Sequence, residues 1–123
     1  MTPPSLEGVR VLVVEDEALV AMLLEQMLED LGCTVAGVAS HVAAAVELVH
    51  STEMDVAILD VNLAGLLADP VAEALDERKA PIIFASGYGR EGLSEPWRDR
   101  PVLPKPFRLE ELRLALLNVL SPT

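Results

Sequence analysis

Short, continuous apolar runs alternate along this chain with longer stretches whose apolar residues recur at helical spacing. "VRVLVVE" (9–15), "DVAILDV" (55–61) and "PIIFAS" (81–86) are almost wholly apolar in their interiors. A strand with one wet face would alternate apolar with polar residues, so such runs are expected of strands covered on both faces. "CTVAGVA" (33–39) and "PVLPK" (101–105) bring the expected strands to five. "EALVAMLLEQMLEDLG" (17–32), "HVAAAVELVHS" (41–51), "PVAEALDER" (70–78) and "LEELRLALLNVL" (109–120) carry helical spacing. Strands that follow one another through helical crossovers must run parallel. The expected architecture is therefore α/β: a doubly wound five-stranded parallel sheet with helices on both faces.

Local signals refine the boundaries. Gly32 is placed to end the first helix, and Ser40 can cap the second. Asp69 and Pro70 read as N-cap and first-turn residues of the third. "NLAGLLA" (62–68) reads as a loop, and "GYGREGLSEPWRDR" (87–100), broken by Pro96, as at most a short, loose helix. No repeat, linker or composition shift divides the chain, so one domain is expected over 1–123, with a core at about 8–120, frayed ends and no output domain.

Composition narrows the class of partner. With only 3% aromatic residues, the core must be built from Leu, Val, Ala and Ile. A formal net charge of −11 disfavours a sequence-independent grip on nucleic acid or on anionic lipid, both of which need clustered Lys and Arg. It suits a cation or a basic protein surface. The single cysteine, Cys33, permits no intrachain disulfide and fits a reducing cytoplasm. No apolar run reaches membrane-spanning length, and no signal peptide is legible at the N-terminus.

In an open α/β sheet, ligands sit beyond the carboxyl ends of the strands. The first strand delivers Glu15 and Asp16 there, the third Asp60, the fourth Ser86 and then Gly87, and the fifth Lys105. Each has an ordinary structural reading taken singly: a helix-capping acid, a turn residue, a loop hydroxyl, a solvated lysine. Together they set three carboxylates against one lysine, and three such charges need water, a cation or a basic partner. Mg²⁺ prefers oxygen ligands and uses one or two carboxylates along with phosphate oxygens and water. Asp16 and Asp60 are the expected direct ligands, with Glu15 acting through bound water and the Asn62 backbone carbonyl adding an oxygen. A nucleotide or flavin cradle is disfavoured, because such sites present Gly-rich or hydroxyl-rich loops after the first strand.

"VLVVEDE", "DVAILDVNL", "PIIFASGYG" and "VLPKPF" together resemble the receiver domain of two-component response regulators, over essentially the whole chain. That resemblance implies the flavodoxin-like strand order 2-1-3-4-5. It implies that Asp60 accepts a phosphoryl group from a histidine kinase or histidine phosphotransfer protein, with Mg²⁺ in the Glu15–Asp16 pocket. Ser86 would be the switch hydroxyl, Lys105 the phosphate contact, and Lys105–Pro106 a cis peptide. "FASGYG" (84–89) also resembles the "FAT GUY" signature of single-domain alphaproteobacterial receivers, with Ser86 in the threonine's place. A cytoplasmic switch acting on a downstream protein partner is expected, without nucleic acid or membrane.

Two other functions compete. A receiver-like adaptor would bind a partner without being phosphorylated, but Asp60, Ser86 and Lys105 are all present. A phosphohydrolase of the haloacid-dehalogenase type also uses an aspartate and Mg²⁺. It needs a second aspartate two residues on, where this chain has Asn62. Many receivers place an aromatic residue three positions before the lysine, where this chain has Val102, too short and stiff to swing a ring. Tyr88, between Gly87 and Gly89, is the expected substitute, and 86–106 is expected to respond most to phosphorylation. Trp97 reads either as a local core plug or as part of a partner surface.

Overall fold

The computed structural model describes residues 6–63 and 66–120. The frayed ends expected at the termini, and residues 64 and 65 of the expected loop, lie outside the described residues. Strands β1 (Arg10–Val14), β2 (Thr34–Ala39), β3 (Val56–Asp60), β6 (Ile82–Ser86) and β7 (Val102–Pro104) form one parallel sheet in the order β2-β1-β3-β6-β7. Counting only these five, the order is the expected 2-1-3-4-5. Helices α1 (Ala18–Asp30), α2 (Val42–Ser51), α3 (Asp69–Glu77) and α4 (Leu109–Leu120) complete the fold.

Alternation along each strand divides the core. Val11, Val13, Ile58 and Ile83 face Leu24 and Leu28 of α1 and Leu112 and Leu116 of α4. Leu12, Val14, Leu59 and Phe84 face Val49 of α2 and Val71 and Leu75 of α3. Successive strand residues thus bury on opposite faces, which is why the runs had to be apolar throughout. Each buried Leu or Ile contributes about 1.5–3 kcal/mol. Two like charges 4 Å apart repel by about 1–4 kcal/mol at effective dielectrics between water and a protein surface. A few core side chains therefore offset the cost of gathering carboxylates at the strand ends.

Helix α1 ends as expected. Gly32 has φ +89°, the Cys33 N–H donates to Leu28 O at 2.9 Å, and the Gly32 N–H donates to Glu29 O at 3.0 Å. This pair of bonds closes the helix with a left-handed residue that only glycine adopts freely. The outer face of α1 leaves Leu19, Met22 and Leu23 exposed, a larger apolar surface than one helix of a closed domain needs.

Four local expectations are corrected. The cap of α2 is His41, whose Nδ1 accepts the Ala44 N–H at 3.3 Å, rather than Ser40 one residue earlier. The N-cap of α3 is Ala68, and Asp69 is already helical. Its carboxylate accepts from Ser94 Oγ at 3.2 Å, so it serves a tertiary contact in place of a capping bond. The segment after Asp60 pairs as an antiparallel hairpin, β4 (Asn62–Leu63) with β5 (Leu66–Leu67). The fourth crossover holds two 3₁₀ turns, Gly89–Gly92 and Glu95–Trp97, so the loose helix expected there is divided. Trp97 is the core plug: it is buried, 6.0 Å from the Phe84 ring centroid, with Arg100 stacked over it at 5.1 Å.

Candidate functional site

Parallel register carries the expected residues to one rim. Val14 pairs with Leu59, Asp60 with Ala85, and Ser86 with Pro104. Glu15 and Asp16 therefore emerge beside Asp60, and Lys105 beside Ser86, whose backbone carbonyl accepts the Lys105 N–H at 3.0 Å. The Lys105–Pro106 peptide is cis.

A cleft of about 370 Å³ opens at this rim, lined among others by Asp16, Asp60, Asn62, Leu67, Tyr88 and Lys105. Asp60 is only 6% exposed and Glu15 only 3%. The Lys105 Nζ lies 2.6 Å from Glu15 Oε1 and 3.3 Å from Asp60 Oδ2. Asp60 Oδ1 accepts the Asn62 N–H at 3.3 Å, and Glu15 Oε2 accepts the Glu17 N–H at 3.1 Å. Glu15, Asp16 and Asp60 each offer one oxygen within 4.8 Å of the others, a spacing that fits a single hard cation.

The electrostatics follow from this crowding. Burial, and the Glu15 carboxylate at hydrogen-bonding distance, push Asp60 up to about 7, against the pull of Lys105 and the Asn62 N–H. Burial pulls the Lys105 ammonium down, but the hydrogen bond and charge of Glu15 and the charge of Asp60 outweigh it and hold the group above its ordinary value. The cluster is thus an acidic cavity with one positive charge, short of neutrality whenever all three acids ionise.

Ser86 stands apart from this arrangement. It is 1% exposed and is not among the residues that line the cleft. Its Oγ accepts the Tyr88 N–H at 3.0 Å, closing a small turn around Gly87. Tyr88 itself is 83% exposed, with its ring in solvent. Sequence reasoning brought Glu15 and Lys105 to one rim without anticipating that they form the shortest ion pair of the site. It also passed over Leu67 and Gly92, which line the cleft. Leu67 sits in a two-residue strand too short to show periodicity, and Gly92 sits in a stretch already rich in glycine.

The comparisons with known proteins agree with this geometry. Residues 11–117 match the response regulator receiver domain family. The chain is 36% identical over 109 residues to the transcriptional regulatory protein PdtaR of Mycobacterium tuberculosis, covering 84% of this chain and 52% of PdtaR. It therefore spans about half the length of that curated relative. A solution structure of SdrG from Sphingomonas melonis Fr1 has a TM-score of 0.82 at 44% identity, over 93% of this chain and 98% of that one. The BeF3-activated conformation of SdrG, from Pseudomonas melonis Fr1, has a TM-score of 0.80 at 43% identity, over 97% and 100%. With the match running from the second residue of β1 into the last helix, the chain belongs to the response regulator receiver domain family.

Proposed function

We propose that Asp60 is the phosphoacceptor of a signalling switch, charged by a histidine kinase or histidine phosphotransfer protein. The observation that carries this reading is a nearly buried carboxylate held between a lysine ammonium and two further acids, at the floor of an open cleft. Receivers generally take their phosphoryl group from histidine kinases. A carboxylate oxygen of Asp60 attacks phosphorus, and the bond to the donor's imidazole nitrogen breaks with its electron pair, which that nitrogen keeps. Asp16, Asp60 and the Asn62 carbonyl would hold Mg²⁺, with Glu15 acting through water, and the cation would supply positive charge against the phosphoryl oxygens. Lys105, already within reach of both Glu15 and Asp60, turns its ammonium to a phosphoryl oxygen. Ser86 donates its hydroxyl to another phosphoryl oxygen after transfer, drawing the Gly87–Tyr88 turn inward.

The partners follow from the surface. An apolar groove of about 260 Å³, lined by Val20, Leu23, Pro106 and Phe107, also includes Glu17 and Lys105, which border the cleft as well. A protein donor seated there would deliver its phosphohistidine to Asp60. The net charge of −11 supports output by protein contact, through the β6, β7 and α4 face, in place of contact with nucleic acid. Among the described residues, no helix is long and apolar enough to cross a membrane. The "FASGYG" stretch and the 44% identity to SdrG support a cytoplasmic receiver of the "FAT GUY" kind. A haloacid-dehalogenase-type hydrolase is disfavoured, because Asn62 stands where the acid would be and its N–H is given to Asp60.

Incubation with acetyl phosphate and Mg²⁺ should add one phosphoryl mass to the intact protein and none to Asp60→Asn. Equal labelling of the two would refute the assignment. Failure of the wild-type protein to label from either acetyl phosphate or a panel of phosphorylated kinases would favour the phosphorylation-independent adaptor.

A further inference from the structure

Gly92 closes the first 3₁₀ turn, and its backbone is not in the left-handed region. Unlike Gly89 at φ +59°, it is therefore not a glycine for backbone reasons. Space is the constraint at this position. A Cβ built on Gly92 would lie 2.4 Å from Ser86 Oγ, 3.3 Å from Tyr88 Cβ and 3.6 Å from Ser86 Cβ. The first distance is far inside van der Waals contact, and Ser86 is buried with its Oγ tied to the Tyr88 N–H. Gly92 also lines the Asp60 cleft, so the niche it leaves adjoins the site.

We infer that Gly92 is a positioning residue that sets the resting state of the switch: its missing side chain is the niche in which the Ser86 hydroxyl waits, turned onto Tyr88 and away from Asp60. This rests on the reading of Ser86 as the group that answers phosphorylation of Asp60. A hydroxyl can be recruited by a new phosphoryl oxygen only if it has somewhere else to be beforehand. The niche offers it one acceptor-side partner, the Tyr88 N–H, worth a modest neutral hydrogen bond. Filling the niche removes that alternative. Gly92→Ala then raises the fraction of molecules whose hydroxyl already points toward Asp60 and frees the Tyr88 amide. A phosphoryl mimic no longer has to draw the hydroxyl out of the niche, so it binds more tightly.

Two readouts test this in the intact protein. In Gly92→Ala without any mimic, the Tyr88 amide should exchange with solvent roughly threefold to tenfold faster, the equivalent of one lost neutral hydrogen bond. Beryllofluoride with Mg²⁺ should bind tighter by a similar factor, a gain that mere disruption of the turn would not produce. In a Ser86→Ala background both effects should vanish, because without Oγ the new methyl group has room. An unchanged Tyr88 amide, unchanged or weaker beryllofluoride binding, or effects that persist in the Ser86→Ala background would each overturn the inference. If Gly92→Ala does not fold, the χ1 couplings of Ser86 in the resting wild-type protein decide instead. A single rotamer with Oγ toward Gly92 supports the niche, and rotamer averaging rejects it. A wild-type protein that fails to bind beryllofluoride would sink the Asp60 reading while leaving the Tyr88 amide result to stand on its own.

Discussion

The two walls of the Asp60 cleft are built on different principles. On the β1 side, Glu15 is almost wholly buried, and its two oxygens are held by the Lys105 ammonium at 2.6 Å and the Glu17 N–H at 3.1 Å. On the β6 side, the sheet gives way to Gly87, Tyr88 and Gly89, and a neutral bond of 3.0 Å from the Tyr88 N–H holds the Ser86 hydroxyl. The first wall is charged, short-ranged and braced by α1. The second is neutral, rich in glycine and continued by a 3₁₀ turn instead of a helix. Chemistry needs groups that do not move as charge develops, whereas signalling needs groups that do. On the proposed reading, the strand ends would serve both within one cleft by giving each task its own wall.

The largest effect should come from breaking the charged wall. Glu15→Gln with Asp16→Asn removes two of the three clustered carboxylates. We expect Mg²⁺ binding to fall below detection by titration calorimetry, with circular dichroism unchanged because the core carries the fold. An unchanged Mg²⁺ affinity would mean that the cation sits elsewhere and that the two walls do not divide the work in this way.

A smaller effect should appear as a pH dependence of the metal-free protein. Asp60 is raised from 3.8 to about 7, so between those values the folded state holds a proton that the unfolded chain has released. The stabilising contribution is complete below pH ~4 and is lost as pH rises to about 7. At about 1.36 kcal/mol per pH unit the ceiling is about 4 kcal/mol, and relaxation of water and side chains brings the expectation to about 1–2 kcal/mol between pH 5 and 7.5. Denaturant titrations of wild type and Asp60→Asn at those two pH values measure it. The variant should gain on the wild type as pH rises, and saturating Mg²⁺ should close the gap by favouring the ionised carboxylate. Parallel pH profiles for the two proteins would contradict it.

The two walls were also unequally legible from sequence. Unbroken runs such as "VAILD" can only be buried on both faces, and parallel topology then fixes which side chains reach the rim, so Glu15, Asp16, Asp60 and Lys105 followed from pattern alone. The pairing of Glu15 with Lys105 did not, because it depends on how far two side chains reach across neighbouring strands. The β4–β5 hairpin escaped because two-residue strands show no period. The α2 cap was misplaced by one residue, since Ser40 and His41 both offer an acceptor and tertiary packing chooses between them. The niche at Gly92 was invisible for another reason: a glycine needed for space looks the same in sequence as one needed for a turn.

The smallest effect lies on the neutral wall, and the structure narrows where to seek it. A response spread over 86–106 was expected from the weakness of the 87–100 stretch. Leu93 and Trp97 are buried, however, Arg98 Nε donates to Leu93 O at 3.1 Å, and Arg100 pairs with Asp76 at 2.8 Å. These anchors confine the expected response to about residues 86–92. Phosphorylation of Asp60, as proposed, would offer Ser86 a charge-assisted bond of about 1.5–3 kcal/mol, and the hydroxyl would give up a neutral bond of about 0.5–1.5 kcal/mol to take it. The net of about 1–2 kcal/mol shifts a two-state loop by roughly a factor of 5–30, enough to bias a contact surface without locking it. Tyr88 is the side chain positioned to report that shift, because its ring lies in solvent and its own N–H is the bond being surrendered. Hydrogen exchange with and without beryllofluoride should therefore change most at 86–92, by about one order of magnitude. Exchange around Trp97 and in α1 should change less. Structures of the two states should differ in the Tyr88 ring and the 87–92 backbone. If those atoms superpose, or if the largest exchange changes fall in α1 and α2, the neutral wall is not the switch.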